Sequence, residues 1–207
     1  YIGHDTFDAY WQARNLRPHF VNIEPAVLTV GGWFDAEDLF GPLATFKTIN
    51  KQSPNTNNRL VMGPWTHGLW ARGDGSRVGN AVFDANTSLY FQKEIELPFF
   101  NHFLKDKGTM SLAKATVFET GANRWHSMDA WPPKEGVNSA IYFQTRGSLT
   151  FAPPKSPTVN GFTEWISDPT KPVPYTMDIT FGYTRTYMTE DQRFASSRPD
   201  VTVFETE

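Results

Sequence analysis

The stretch PAVLTVGGWFDAEDLFGPLATFKTIN, residues 25–50, contains an apolar run, a cluster of acids and an amphipathic pattern in that order. The run at 25–33 is unbroken and bounded by proline and glycine, which is typical of a strand covered on both faces in a parallel sheet. Residues 38–50 place apolar side chains on one face at helical spacing, and Pro42 is tolerated in a first helical turn. The stretch therefore predicts a strand followed by a helix.

A second short apolar run, RLVMGPW at residues 59–65, follows a polar loop and predicts another strand. Strand, helix and strand in this order form a βαβ unit, in which the two strands are parallel and the crossover is right-handed. Helical spacing of aromatic and aliphatic residues also predicts a helix upstream at 6–16 and a long helix downstream at 87–104. We expect the long helix to kink at Pro98 and to end before Gly108.

Beyond residue 110 the pattern changes to short β-rich runs separated by Pro, Gly, Asn and Asp, as in an all-β sandwich. These runs are KATVFETG (114–121), AIYFQTRG (140–147), GSLTFAP (147–153), MDITFGY (177–183) and VTVFETE (201–207). The sequence therefore predicts two domains. An α/β domain is expected over residues 1–110, and a β-sandwich over residues 111–207.

Composition excludes several functional classes. The 207 residues carry a net charge of −3, so there is neither the basic footprint of a nucleic-acid binder nor a polybasic face for an anionic membrane. No apolar run approaches the ~20 residues of a membrane span. The absence of cysteine removes disulfides, thiolate nucleophiles and thiolate metal ligands. The expected partner is a small molecule or a protein.

Two side chains with catalytic chemistry follow the two predicted parallel strands. Asp35 comes after the first strand and His67 after the second, 32 positions later. The carboxyl ends of parallel strands meet at one edge of a sheet, so we expect a hydrogen bond between these side chains. Such a pair orients a histidine that acts as general base toward a nucleophile. The residues alone leave a second reading open, in which Asp35 caps the helix and His67 is a loop histidine.

Other candidate sites are weaker. The sequence contains no Gly-x-Ser-x-Gly elbow, and Ser76 in GDGSRVG (73–79) follows Asp74 where an elbow needs glycine. Ser76 is therefore expected to be a loop residue. We expect no metal site and no cofactor, because four further histidines show no zinc-like spacing with acids or with each other. These histidines are His4, His19, His102 and His126.

The segments VGGWFDAEDLFG (30–41) and RLVMGPWTHG (59–68) resemble the catalytic Asp and His segments of a group of serine hydrolases. This group includes cocaine esterase, X-Pro dipeptidyl peptidases and α-amino-acid ester hydrolases, and the resemblance to the last is closest. Three later stretches resemble the jelly-roll domain that follows in that family: 117–133, 167–175 and 191–207. The resemblance implies the C-terminal part of an α/β-hydrolase domain followed by a jelly roll, with both incomplete.

The resemblance also implies roles for individual residues. Asp35 matches the acid of a catalytic triad, and His67 matches its base. Glu37 and Asp38 match two members of a carboxylate cluster that holds the substrate's α-ammonium group. Acids in a first helical turn are favoured by the helix dipole and attract a cation. The alternative, that Glu37 and Asp38 only complement the start of the helix, is compatible with this role.

Trp33 and Trp65 each stand two residues before a matched triad member and are candidates for lining the acyl pocket. A core tryptophan at a strand end is an equally common arrangement. In the family the nucleophile, the oxyanion hole and a third acid of the ammonium cluster lie upstream of the segments seen here. The 207 residues alone are therefore expected to be inactive, since a base and an acid without a nucleophile form no acyl-enzyme.

The function implied by the resemblance is hydrolysis of esters or amides, with a preference for α-amino acyl groups. The acyl-enzyme would react with water or with an amine such as a β-lactam nucleus. One alternative is a hydrolase like cocaine esterase or X-Pro dipeptidyl peptidase, and another is a noncatalytic binding protein on a hydrolase scaffold. The expected partners are the upstream remainder of the hydrolase domain and further copies in a homo-oligomer. The resemblance implies a periplasmic or secreted bacterial location.

Overall fold

A mixed sheet lies at the centre of the first of the two units into which the chain divides, Tyr1–Pro133. The computed structural model describes residues 1–155, 161–179, 181 and 187–206. The strands of this unit are β1 (Val27–Gly32), β2 (Asn58–Gly63), β3 (Arg77–Val78), β4 (Ala81–Val82), β5 (Ala115–Glu119) and β6 (Arg124–Met128). In the sheet β1, β2 and β5 are parallel neighbours in that order, and β6 is antiparallel to β5. β3 and β4 form a separate antiparallel pair.

Helices connect these strands. They are α1 (Ala9–Gln12), α2 (Phe40–Gln52), α3 (Thr87–Tyr90) and α4 (Leu97–Lys105), with a π-helical segment (Phe91–Glu96) between α3 and α4 and 3₁₀ turns at Arg17–His19 and Leu69–Ala71. Within the described part of the chain, none of the helices combines the length and hydropathy needed to cross a bilayer.

The predicted βαβ unit is confirmed by β1, α2 and β2. β2, which lies between β1 and β5 in the sheet, is covered on both faces, and this explains its apolar run. Leu60 and Met62 on one face of β2 pack with Phe46 of α2. Val61 faces the other way and packs with Phe91 of the π-helical segment. Because successive side chains alternate between the two faces, a strand between two helical layers has apolar residues on both faces, as at Leu60, Val61 and Met62.

The N-terminal helix is shorter than predicted. In place of a helix over 6–16, the structure has α1 over four residues, followed by the 3₁₀ turn that contains Pro18. The Asp8 carboxylate caps α1 by accepting the backbone N–H of Tyr10. No residue of α1 is buried, so little tertiary packing repays the cost of nucleating a longer helix.

The long helix predicted at 87–104 is confirmed, and its irregularity coincides with the predicted kink. The π-helical segment Phe91–Glu96 lies just before Pro98. Proline has no N–H and cannot continue the i→i−4 ladder, so the wider turn before it accommodates the missing bond. The left-handed residue that ends the helix is Asp106, with φ 51°, and not Gly108 as predicted.

The first unit extends beyond the boundary predicted after residue 110. Residues 115–119 were assigned to a separate β-sandwich, but the structure pairs them parallel to β2, with Leu60 opposite Ala115 and Met62 opposite Val117. β6 then pairs with β5. The sheet therefore includes these two strands, and the compact unit ends at Pro133.

The second unit, Lys134–Glu207, contains little regular structure in its described residues. Its elements are β7 (Tyr142–Phe143), β8 (Leu149–Thr150), α5 (Arg193–Ser196) and 3₁₀ turns at Thr145–Gly147 and Tyr187–Thr189. β7 and β8 are antiparallel, and Ser148 forms an isolated parallel bridge with Glu205. Of the strand predicted at 177–183, residues 180, 182 and 183 lie outside the described residues, and the others are irregular. The jelly roll remains a prediction.

Trp65 is a main source of stability in the first unit. Its side chain is 0% exposed, its Nε1–H donates to Thr87 Oγ1 at 2.9 Å, and its ring lies 5.4 Å from that of Phe91. We expect Trp65→Ala to lower the free energy of unfolding by about 3–5 kcal/mol, as for other buried aromatic truncations. Urea denaturation of the full-length protein measures this loss. Trp165→Ala is the control, because Trp165 is 58% exposed; equal losses in both variants would contradict the core role of Trp65.

Candidate functional site

The register of the sheet brings two loops to the same edge. Gly32, the last residue of β1, is paired with Gly63, the last residue of β2. Asp35 follows three residues after the first of these positions, and His67 four residues after the second. Parallel strands that end in register release their loops side by side, as the sequence predicted.

Backbone hydrogen bonds continue beyond the strand ends and hold the two loops together. The Trp33 N–H donates to the Gly63 carbonyl at 2.9 Å, and the Phe34 N–H donates to the Trp65 carbonyl at 3.0 Å. This close approach requires glycine in β1, because a Cβ on Gly32 would lie 2.1 Å from the Trp65 carbonyl oxygen. Gly32 thus allows the two loops to lie this close together.

Asp35 and His67 form the predicted hydrogen bond. Nδ1 of His67 lies 2.9 Å from Oδ2 of Asp35. An ionised carboxylate only accepts hydrogen bonds, so the ring donates from Nδ1, and Nε2 is left as the acceptor. A neutral histidine in this tautomer can take a proton at Nε2. The second reading, in which Asp35 only caps a helix, does not account for this bond.

The Asp35 carboxylate is both buried and well bonded. Its side chain is 3% exposed, and Oδ1 accepts the backbone N–H groups of Glu37 at 2.9 Å and Asp38 at 3.0 Å. Burial acts to raise the pKa of Asp35, but the two N–H groups and the His67 ring outweigh it, so the pKa lies below its ordinary value. Asp35 therefore stays ionised at neutral pH beside the histidine.

The His67 ring is open on one side. Its side chain is 52% exposed, and the Trp70 ring lies 6.2 Å away between centroids. A general base needs such access, since its free nitrogen must come within hydrogen-bond distance of the group that loses a proton.

Glu37 and Asp38 lie in the loop before the helix and not in its first turn as predicted, because α2 begins only at Phe40. Asp38 nevertheless caps this helix: its Oδ1 accepts the Gly41 N–H at 2.6 Å. Glu37 is 57% exposed, and its Oε2 lies 3.5 Å from Nδ1 of His67. The sequence did not predict this approach, since it placed Glu37 on the helix.

Of the two tryptophans predicted as candidates for lining an acyl pocket, Trp65 does not fit that role. Trp65 is completely buried and is therefore a core residue with no surface to offer a substrate. Trp33 is half-buried, donates its Nε1–H to the Phe118 carbonyl at 2.9 Å and packs 5.8 Å from the Trp131 ring. The role of Trp33 in the acyl pocket stays a prediction.

The side-chain oxygens and nitrogen of Asp35, Glu37 and His67 lie within 4.8 Å of one another, a spacing that a metal ion could also use. The hydrogen bond between Asp35 and His67 holds these two side chains 2.9 Å apart without an ion. A metal would have to displace the Nδ1 proton and part the pair, since zinc ligands are held about 2.0 Å from the ion.

The remaining histidines were predicted to show no zinc-like spacing with acids or with each other, and two of them lie beside a single carboxylate. Nδ1 of His4 lies 2.6 Å from Asp8, and Nε2 of His126 lies 2.5 Å from Glu119. Each is a partly exposed contact between a histidine ring and one carboxylate. Ser76 is a loop residue as predicted, because its backbone N–H and hydroxyl both donate to Asp74 at 2.9 Å.

Comparison with known proteins agrees with this arrangement. Residues 1–69 match the sequence profile of the X-Pro dipeptidyl-peptidase (S15) family. Cocaine esterase from Rhodococcus sp. (strain MB1 Bresler) is 26% identical over 216 residues, which cover 100% of this chain and 36% of the esterase. The resemblance predicted from the two loop segments is therefore confirmed.

Two solved structures are similar over nearly the whole chain. An aminopeptidase from a marine sediment archaeon, Thaumarchaeota archaeon, has a TM-score of 0.88 and 33% identity over 98% of this chain and 34% of its own. An α-amino acid ester hydrolase has the same score and identity over 99% of this chain and 35% of its own. The chain thus spans about a third of the length of the relatives that it matches. The chain is therefore similar to about a third of each of these hydrolases. Its residues 1–69 are similar to the X-Pro dipeptidyl-peptidase family.

Proposed function

We propose that this chain is part of a serine hydrolase in which His67 is the general base and Asp35 the acid that orients it. The observation that carries the proposal is the 2.9 Å bond between the two side chains at the carboxyl edge of parallel strands. The low pKa of Asp35 and the open side of the His67 ring support these roles. The esterase, the ester hydrolase and the peptidase family that the chain resembles point to the same chemistry.

The proposed reaction proceeds through an acyl-enzyme. Nε2 of His67 takes the proton of a serine hydroxyl contributed by the upstream part of the hydrolase domain, and the serine oxygen attacks the substrate carbonyl. The ionised Asp35 stabilises the imidazolium that forms. His67 then gives the proton to the departing alcohol or amine, and afterwards activates the water or amine that releases the acyl group.

The acids next to His67 favour substrates with a positive charge beside the carbonyl. Glu37 is exposed and lies next to the ring, and Asp38 follows it in the same loop. Carboxylates so near the acyl site attract an ammonium group and orient the adjoining ester. The proposed substrates are therefore α-amino acyl esters or amides, with acyl transfer to amines such as β-lactam nuclei as a further reaction.

A pair of matched esters, with and without the α-amino group, tests this preference. We expect Glu37→Ala and Asp38→Ala to reduce kcat/KM for the amino ester about tenfold or more relative to the other ester, since only the former loses an ion pair. Asp38→Asn separates recognition from capping, because asparagine can still accept the Gly41 N–H but carries no charge. If all variants lose activity equally on both esters, the acids serve the fold and not the ammonium.

Two alternatives remain. The matched profile and the esterase relative favour a hydrolase like X-Pro dipeptidyl peptidase or cocaine esterase, and equal kcat/KM values on the two esters would support this alternative. A noncatalytic binding protein would keep the scaffold without a nucleophile. Labelling of the full-length protein by a serine-reactive phosphonate, together with a Gly-x-Ser-x-Gly elbow upstream, supports the enzyme; failure of both would exclude it.

The proposal includes the remaining expectations from the sequence. The upstream part of the hydrolase domain is the required partner, and the residues of the second unit belong to a jelly roll. Assembly into a homo-oligomer and a periplasmic or secreted location are proposed from the resemblance alone. Mass measurement of the native full-length protein tests the first of these two expectations, and cell fractionation tests the second.

A further inference from the structure

Two carboxylates approach the same nitrogen of His67. Oδ2 of Asp35 lies 2.9 Å from Nδ1, and Oε2 of Glu37 lies 3.5 Å from it. Both come from the loop between β1 and α2. Asp35 also holds this loop in shape, since its Oδ1 accepts the Glu37 N–H at 2.9 Å. The same bond fixes the backbone from which the Glu37 side chain extends toward the ring.

The position of Glu37 is more than recognition of a substrate cation requires. A residue that served only the ammonium would gain nothing from an oxygen within ion-pair distance of Nδ1, which faces away from the reacting atoms. Asp38 shows the contrast: its carboxylate is directed to the Gly41 N–H of the helix.

We infer that Glu37 is a positioning residue for His67, a second acceptor for the Nδ1 proton beside Asp35. The inference rests on the proposed function and extends it. Nδ1 donates its hydrogen bond to Asp35, and the Glu37 carboxylate 3.5 Å away favours the same tautomer, which leaves Nε2 free. Glu37 maintains this tautomer when the bond to Asp35 is lost. A carboxylate has two oxygens, so Oε1 can bind a substrate ammonium while Oε2 faces the ring.

A double-mutant cycle in the full-length protein tests this role. The variants are Asp35→Asn, Glu37→Gln and their combination, assayed on an ester without an amino group so that ammonium binding plays no part. We expect Glu37→Gln alone to lower kcat about threefold with little change in KM. In the Asp35→Asn background, where Glu37 is the remaining carboxylate at Nδ1, we expect a further loss of about tenfold or more.

Matched controls separate positioning from general damage to the loop. Asp38→Asn removes a charge one residue after Glu37, from a side chain that accepts the Gly41 N–H and does not contact the ring. It should lower kcat by the same factor in both backgrounds. Glu37→Asp keeps the charge but shortens the side chain by a methylene. We expect it to behave like Glu37→Gln on the uncharged ester while it retains the preference for the amino ester.

The outcomes distinguish this inference from the function on which it rests. If Glu37→Gln lowers kcat by the same factor with and without Asp35, Glu37 does not serve the ring, although the enzyme remains a hydrolase. A wild type that hydrolyses no ester overturns both. Should Asp35→Asn fail to fold, as judged by its melting curve, the single variant decides: a rise in KM with unchanged kcat on the uncharged ester contradicts the positioning role.

Discussion

His67→Ala in the full-length protein should lower kcat for amino and uncharged esters alike by about 10⁴-fold or more, the scale seen when a triad base is removed. The variant leaves no group at the position of Nε2 to take the proton of the nucleophile. KM should change little, because the ring is not required to hold the substrate. Steady-state kinetics on both esters measure the effect.

The control for this variant is His19→Ala. His19 is exposed at the end of a 3₁₀ turn and is not part of the site, so its loss should leave kcat within about twofold of wild type, as for most surface changes. If His67→Ala retains wild-type rates, the assignment of the general base is wrong.

Asp35→Asn should lower kcat about 10⁴-fold on both esters. The loss is smaller to the extent that Glu37 still holds the His67 ring in its tautomer. Asparagine keeps an oxygen for the N–H groups of Glu37 and Asp38, so the loop should retain its shape. Its amide nitrogen, however, replaces the acceptor at 2.9 Å from Nδ1 with a donor, which favours the tautomer with the proton on Nε2. In that tautomer the histidine cannot act as a base.

Asp74→Asn is a matched control for the loss of this carboxylate. Asp74 also accepts the N–H of a residue two positions ahead, and its pKa is likewise lowered, chiefly by the Ser76 N–H and hydroxyl. It lies in an exposed loop outside the proposed site, so its variant should keep normal kcat. Comparable losses in Asp35→Asn and Asp74→Asn would point to general loop damage and remove the basis for a triad acid.

The βαβ unit could be predicted because its sequence pattern has one physical explanation. A strand covered by helices on both faces must be apolar throughout, as Leu60, Val61 and Met62 are. The sequence pattern does not show which strand a given strand pairs with. Residues 115–119 read as β in either domain, and their apolar character does not reveal that they pair with β2, so the boundary after residue 110 was placed too early.

The site was predictable to the extent that it depends on strand ends. The pairing of Asp35 with His67 follows from parallel strands in register. The resemblance to known hydrolases predicted the roles of Glu37 and Asp38. The burial of Trp65 and the approach of Glu37 to the ring depend on tertiary packing and on where the loop gives way to α2. Local spacing contains no information about either, because a tryptophan or glutamate near a strand end is compatible with core and surface alike.

The in-register glycines at the ends of β1 and β2 have a consequence for insertions and deletions. The separation of Asp35 and His67 is set by Gly32 opposite Gly63 and not by the length of the chain between them. Additional residues at the exposed positions 54–55 leave that pairing unchanged, whereas one extra residue inside either strand would turn every later side chain to the opposite face. Length variation among relatives should therefore be tolerated in the crossover and absent from the strands.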